Sequence, residues 1–535
     1  MSSTIQIARP GTGSSSVTAK AGRATRGLSA LRLRTLKGQF ILHASLILLL
    51  AAILTLLSST TLSRTSSDLA TINSGSIPSV NDAQTITQDI ETIDAQAADY
   101  LATAALTNAH ACSIPQTTNP NGATISVTLT THACDESDID AETVLTDETL
   151  YQAAHNVTYT GEQTAVERIT IGLESYLEDI HQMRVDYGLA ANKTDPNDPY
   201  LKQAYQSYLS ASGILHDQIS LATIGADKIP LDKEANLPNC TLANGQTRTP
   251  DQWTQGGLTD ALDCLSFINY SHLQGAYSDS GNFLGGSTAW IIVLSLLLGL
   301  LLLLGTGRMV LTSHRFLNLG LLAATLISLI FSGMAISLLG SLQGTNPVHS
   351  QDGAFVQLVQ DDYVSVYDAA VLNRTATNAN ADESRWLIAL EFHDQANVAH
   401  WQDDWNQSVQ QVNTLIQKAQ KNQTWQEEIQ PLQDMSNNWN TYDTIDGQIR
   451  SAAQNQSDPK RLLTAESIST GTSNQAFGQF SGAVTALSNA NQSHSNQTFR
   501  SINYTLMVYF ILSLILFPLT GLLALWGIAI RLKDF

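Results

Sequence analysis

The side chains best suited to chemistry gather in the second half of the chain: Glu391, His393, Asp394 and His400, just ahead of Trp401 and Trp405. Imidazoles beside carboxylates can hold a metal ion or pass a proton. His393 and His400 are seven residues apart. Two helical turns put them on one face, yet too far apart to clamp one metal without a third element. The plainer reading is a solvated helix face, and no catalytic residue, metal or cofactor is assigned. The phosphate-binding P-loop, HExxH, GxSxG and the kinase motif set are missing from the sequence. The chain therefore reads as a protein without enzymatic activity.

All four cysteines, Cys112, Cys134, Cys240 and Cys264, lie between residues 58 and 288. Three connectivities are possible. Local pairing of Cys112 with Cys134 and of Cys240 with Cys264 is favoured, because each pair brackets a loop rich in Asn, Pro, Gly and Thr. A zinc site is the weaker alternative, since no CxxC and no clustered His partner accompany the cysteines.

A third group is a candidate partner contact: Asp382, Glu383 and Arg385 beside Trp386. A large aromatic with Arg beside acids suits a protein-contact site. The alternative is that Trp386 is core and the charges only solvate the helix. In either case the charges are expected at the surface, where an ion pair is worth about 0–1 kcal/mol and its loss leaves folding intact.

The elements that must position these groups begin with four apolar stretches free of Asp, Glu, Lys and Arg: Phe40 to Leu57, Ala289 to Leu304, Phe316 to Leu342 and Tyr504 to Ile530. About 20 apolar residues cross a ~30 Å hydrocarbon core, and all four reach that length once flanking Ser, Thr and Gly are counted. A cleaved signal peptide is the alternative for the first, but its apolar run exceeds the ~7–15 residues of a typical signal.

Charge sets the expected orientation. Ahead of the first stretch stand seven bases, Arg32, Arg34 and Lys37 nearest to it; Arg308 and Arg315 lie between the second and third, and Arg531 and Lys533 follow the fourth. By the positive-inside rule these segments are cytoplasmic. They hold eleven of the 27 Lys and Arg and one of the 47 acids, leaving sixteen bases against 46 acids on two long exterior loops. That placement puts every cysteine in an oxidising compartment. The acidic exterior repels polyanions, so nucleic acid is not an expected partner. Arg32, Arg34, Lys37, Arg308 and Arg315 are the candidate cytoplasmic contacts.

Both exterior loops read as helical. Apolar residues from Leu62 to Leu101 recur mostly at three, four or seven, with a break near Gly75 to Pro78. One long helix is expected from Asp147 to Ala191, stopped at Asp195-Pro196-Asn197-Asp198-Pro199, with another from Tyr200 to about Ile224 and a fourth from Trp253 into the second apolar stretch. The second loop echoes the first: Ser79, Val80, Asp82, Ala83, Ala95 and Leu101 find the same residue types at Ser365, Val366, Asp368, Ala369, Ala381 and Leu387, all 286 residues on. A duplicated unit is expected.

The stretch Ser76-Ile77-Pro78-Ser79-Val80, followed by Ala95-Gln96-Ala97-Ala98-Asp99-Tyr100-Leu101, resembles the first helix of the four-helix-bundle sensor domains of bacterial receptors. Ala379 to Ile388 resembles the corresponding part of an actinobacterial family of four-span proteins of the GlnX type, similar in topology throughout. That resemblance implies a link between an exported amino-acid-binding lipoprotein and a cytosolic Ser/Thr kinase. The long first loop with its four cysteines is where this chain departs from it.

The expected fold class is an all-α membrane protein with four transmembrane helices and two extracytoplasmic helical-bundle domains in tandem. In numbers, the expected segments are a disordered cytoplasmic leader at 1–38, spans at 39–58, 286–306, 316–341 and 504–530, bundles at 59–285 and 342–503, a connector at 307–315 and a tail at 531–535. The expected function is a signal relay in the plasma membrane with both termini cytoplasmic; the alternatives are a structural or assembly protein of the cell envelope, or an accessory subunit of a transporter.

Overall fold

The computed structural model describes residues 36–71, 73, 77–107, 109–117, 124–157, 159–231, 237–242, 245–313, 318–343, 353 and 357–532. Arg32, Arg34 and Arg315 lie outside them. Helices dominate. In chain order they are α1 (Leu36–Thr71), α2 (Ile77–Ala102), α3 (Thr131–His155), α4 (Glu162–Leu189), α5 (Pro199–Leu215), α6 (Leu258–Ser313), α7 (Leu319–Gln343), α8 (Val364–Glu391), α9 (Gln395–Lys421), α10 (Ile429–Gln454), α11 (Arg461–Ile468) and α12 (Asn474–Leu532). Four helical stretches, in α1, α6, α7 and α11–α12, are long and apolar enough to cross a membrane.

The chain divides into two compact units. The apolar unit takes residues up to Thr60, Ala289–Ile336 and from Phe510 onward. Without water between helices, close approach of backbones and polar bridges must hold such a unit together. Gly320 faces Gly527 so closely that a Cβ on Gly320 would stand 2.7 Å from the Gly527 Cα. Asn318 Nδ2 donates to the Gly527 carbonyl at 2.9 Å. His43 Nε2 lies 2.7 Å from the Leu301 carbonyl, over Gly305, where a Cβ would meet the imidazole at 2.8 Å. Leu48, Leu49, Leu296, Leu300, Leu326 and Leu522 point outward, as lipid-facing side chains do.

The helical unit takes Thr61–Thr288 and Ser337–Tyr509. Both long loops therefore belong to one unit, although the sequence suggested a bundle for each. The reason is visible in α2 and α8, which lie side by side and bury 18 and 20 residues respectively. Asn373 donates to Gln88 at 2.8 Å, and Ser384 meets Asp99 eleven residues further along both helices. The two helices thus run in the same direction, nearly in register with the 286-residue offset. Ile388 of α8 joins the core formed by Ile86, Ile90 and Ile93 of α2, Tyr176 of α4, Tyr208 of α5 and Leu262 of α6. A second core gathers Leu372 of α8, Val412 of α9, Trp439 and Tyr442 of α10 and Phe480 of α12.

Two local expectations change. The helix expected from Asp147 to Ala191 is two helices, α3 and α4, because Gly161 adopts φ +97° and a Cβ there would stand 2.4 Å from Leu237 Cδ2. Glu162 then turns back to accept from the Tyr159 amide at 2.6 Å. In place of helix, β1 (Ala109–Pro115) and β2 (Thr124–Thr130) pair as an antiparallel hairpin, Cys112 facing Val127. Cys112 bonds to Cys134, 22 residues on, and Cys240 to Cys264, 24 residues on. The first pins the hairpin to α3; in the chain-entropy view, loops of that size are each stabilised by about 3 kcal/mol.

Candidate functional site

The most unusual chemistry of the helical unit is a charged seam buried between α2 and α8. Asp382 and Arg385 belong to it, and Glu383 and Trp386 are buried beside it on α8; the four are at 0, 0, 1 and 3% exposure in that order. This corrects the expectation that their charges face solvent. The middle of α8 is enclosed on every side, so neighbouring residues of one turn send charge into two different parts of the core.

Arg385 points toward α2. Its Nε donates to Asp94 Oδ2 at 2.7 Å, Nη2 to Glu91 Oε2 at 2.8 Å, and Nη1 to Asp382 Oδ1 and Asn378 Oδ1, both at 2.8 Å. Tyr208 and Ser212 of α5 add hydroxyls to Asp94 at 3.4 and 3.3 Å. Trp401 lies against the guanidinium, 5.1 Å from its ring centroid to the cation. Planar Arg suits such a site because its fork satisfies several carboxylates at once. One cation cannot offset three buried acids, and burial pushes Glu91 up to about 7 and Asp382 well above the carboxylate range despite the pull of Arg385. His216, 3.4 Å from Glu91, is driven far below the usual imidazole value by burial and by Arg385. It stands there as a neutral ring.

Glu383 points the other way, into a π-helical turn at Ser469–Ser473. It accepts from Ser469 Oγ at 2.5 Å and from Ser473 Oγ at 3.0 Å. Burial, with the field of Asp446, lifts it to about 8. The Arg450 guanidinium lies over Trp386 at 4.7 Å and over Trp405 at 4.3 Å. The alternative reading of Trp386 as core is the one the structure shows.

Further acids continue the seam. Asp99 of α2, Asp135 of α3 and Glu466 of α11 act on one another, and burial lifts all three, Asp99 to about 6. Asp89, lifted to about 8, faces Glu142 of α3. These carboxylates were not singled out from the sequence. Their trace there is acidic residues at core positions of α2, Glu91 directly after Ile90 and Asp94 directly after Ile93.

The other sequence candidates play structural parts. Asp394 caps α9, accepting from the Asn397 amide at 3.2 Å, and His393 occupies the turn before it at φ +58°. His400 packs on Trp401, centroids 4.3 Å apart. Burial raises Glu391 to about 7. Among the described residues no three His, Cys, Asp or Glu side chains are placed to hold a metal ion. Lys37 stands exposed at the start of α1, and Arg308 donates to Gln39, so two of the basic candidates lie on helices brought together within the apolar unit.

Residues 324–526 match the family model described as a four helix bundle sensory module for signal transduction. No curated protein and no solved structure matches the chain. The matched stretch begins in α7, takes in α8–α11 and ends in α12. The class supported by fold and match together is a four-helix membrane protein with a sensor-like, signalling module.

Proposed function

We propose that the chain is a transmembrane signal-relay protein. The match of residues 324–526 to a sensory module carries this reading, because that stretch takes in two apolar helices as well as the helices between them. In this reading the helical unit stands outside the cell, both termini are cytoplasmic, and the spanned membrane is the plasma membrane, as the charge distribution favours. A stimulus that binds one packing of α2 against α8 more tightly than another shifts the unit toward that packing. The α6 and α12 helices, continuous over 56 and 59 residues, are the elements suited to carry the shift. An exported solute-binding lipoprotein would deliver the stimulus, and a cytosolic Ser/Thr kinase would read it at Lys37, Arg308 and the neighbouring bases.

Two experiments test this reading. Reporter fusions at Ser2 and Phe535 are expected to behave as internal and fusions at Gly122 and Gln454 as external; an external signal from either terminus overturns the orientation. Photocrosslinkers at Lys37 and Arg308 in native membranes, read by mass spectrometry, are expected to capture a cytosolic signalling protein. Capture of transport permeases or envelope-assembly proteins in its place would favour the other functions considered above.

A further inference from the structure

A cleft of about 290 Å³ lies between α2, α6, α8, α9 and the residues that follow α5. Its walls include exposed side chains, Asp217, His400 and Gln407, and also Glu91 of the buried seam. Of the three acids bonded to Arg385, only Glu91 lines it: the Glu91 side chain keeps 4% exposure, whereas those of Asp94 and Asp382 keep none. Glu91 is therefore the acid of the seam placed to exchange a proton with solvent.

Asn378 connects the same seam to α9. Its Oδ1 accepts from Arg385, and its Nδ2 donates to Asp404 Oδ2 and Ser408 Oγ, both at 3.1 Å. One guanidinium and one amide thus join α2, α8 and α9 where the cleft reaches the seam.

We propose that Glu91 is a proton switch: its proton holds α8 and α9 closed on α2, and loss of that proton as external pH rises opens the cleft. Extracytoplasmic pH is then a stimulus of the relay, beside any that a partner delivers.

Charge gives the direction. Arg385 already faces Asp94 and Asp382, so an ionised Glu91 adds a negative charge that Asp94 and Asp404 repel. The other groups around it are engaged or neutral. His216 stays a neutral ring, and burial keeps Tyr176 of α4 and Tyr208 of α5 protonated. Arg374 of α8 acts on Glu91 but is bonded to Asp263 of α6. Asp260 of α6 shares Arg248 with Asp217, and His400 of α9 is exposed to solvent. Burial accordingly raises Glu91 from 4.5 to about 7, against the pull of Arg385. In an open packing, with water at the carboxylate, its proton affinity returns toward the ordinary value. The proton's preference for the closed packing is complete below the ordinary carboxylate range and is lost as pH rises to about 7. Across that window the closed-to-open ratio falls on the order of a hundredfold.

The relay reading supplies only the output, so the switch is measured apart from it. Spin labels at Gln218→Cys, next to Asp217, and at Gln410→Cys on α9, next to Gln411, occupy exposed positions beside the cleft. Their separation is read by double electron–electron resonance in the full chain in nanodiscs. Between pH 5 and pH 8.5 the longer-distance population is expected to grow at least about tenfold relative to the shorter. Glu91→Gln still accepts from Arg385 and carries no charge, and it is expected to hold the short distance throughout. Asp260→Asn and His400→Gln are expected to keep the wild-type shift. Infrared spectra are expected to show one fewer carboxyl losing its proton over this range in Glu91→Gln than in the wild type. A wild-type distance that ignores pH, a shift that survives Glu91→Gln, its loss in either control variant, or an unchanged infrared count overturns the proposal. A cleft that opens with pH while labels at Lys37 and Thr312 stay unmoved keeps the switch and removes its link to the relay.

Discussion

Arg385→Ala is expected to destabilise the helical unit by about 3–5 kcal/mol, because it strips the guanidinium that is bonded to Glu91, Asp94 and Asp382 and leaves these buried acids without that partner. Asp94 and Asp382 are wholly buried and Glu91 nearly so. A thermal melt of the purified protein followed by circular dichroism measures the effect. The fourfold change Arg385→Met, Asp94→Asn, Asp382→Asn, Glu91→Gln removes the cation and its three acids together and is expected to recover most of the loss. A change of under about 1 kcal/mol in the single variant is what an exposed ion pair would give, and would mean that the seam does not hold α8 to α2.

The second large effect is on pH. Burial lifts Asp89 and Glu383 to about 8 and Glu91 and Asp138 to about 7, whereas in the unfolded chain carboxyls titrate near 4. Below about pH 4 both states hold these protons and the fold keeps its full stability. Between there and about pH 8 the folded state still holds protons that the unfolded chain has lost, so stability falls as pH rises. The melting temperature is therefore expected to be higher at pH 5.5 than at pH 8.5. Glu383→Gln retains an acceptor for Ser469 and carries no charge, and it is expected to stabilise the protein at pH 8.5 by about 3 kcal/mol while changing little at pH 4. A melting temperature that rises from pH 5.5 to 8.5 would contradict this account.

Parts of this architecture are plain in the sequence because their causes are local. The four apolar runs need only length and lack of charge. The start of α2 is announced by Pro78 in its first turn, and the start of α5 by Asp198-Pro199, where the Asp198 side chain accepts from the Tyr200 and Leu201 amides at 2.9 and 3.3 Å. Cysteines 22 and 24 residues apart suggest local bonds. The hairpin is less visible: Thr124 to Thr130 alternates polar and apolar side chains as a strand does, but the run is short and set among helices. Least visible is the seam. Asp382 to Trp386 looks like the charged face of a surface helix because the acids that bury Arg385 lie 291 and 294 residues earlier. No local periodicity reports a partner at that distance. The same long reach joins Asn373 to Gln88, so neither the seam nor the single unit that it ties together could be read from either loop alone.

The claim that a change in the helical unit reaches the apolar unit is tested most directly by electron paramagnetic resonance. Spin labels are placed at Lys37→Cys in α1 and Thr312→Cys in α6, in a chain whose native cysteines are all bonded, and the distance distribution is compared with and without Arg385→Met in the same nanodiscs. A relay predicts a shifted or broadened distribution when the α2–α8 seam is loosened, although the substitution lies in the other unit. An unchanged distribution, in protein that remains folded, would contradict the relay and leave a membrane scaffold.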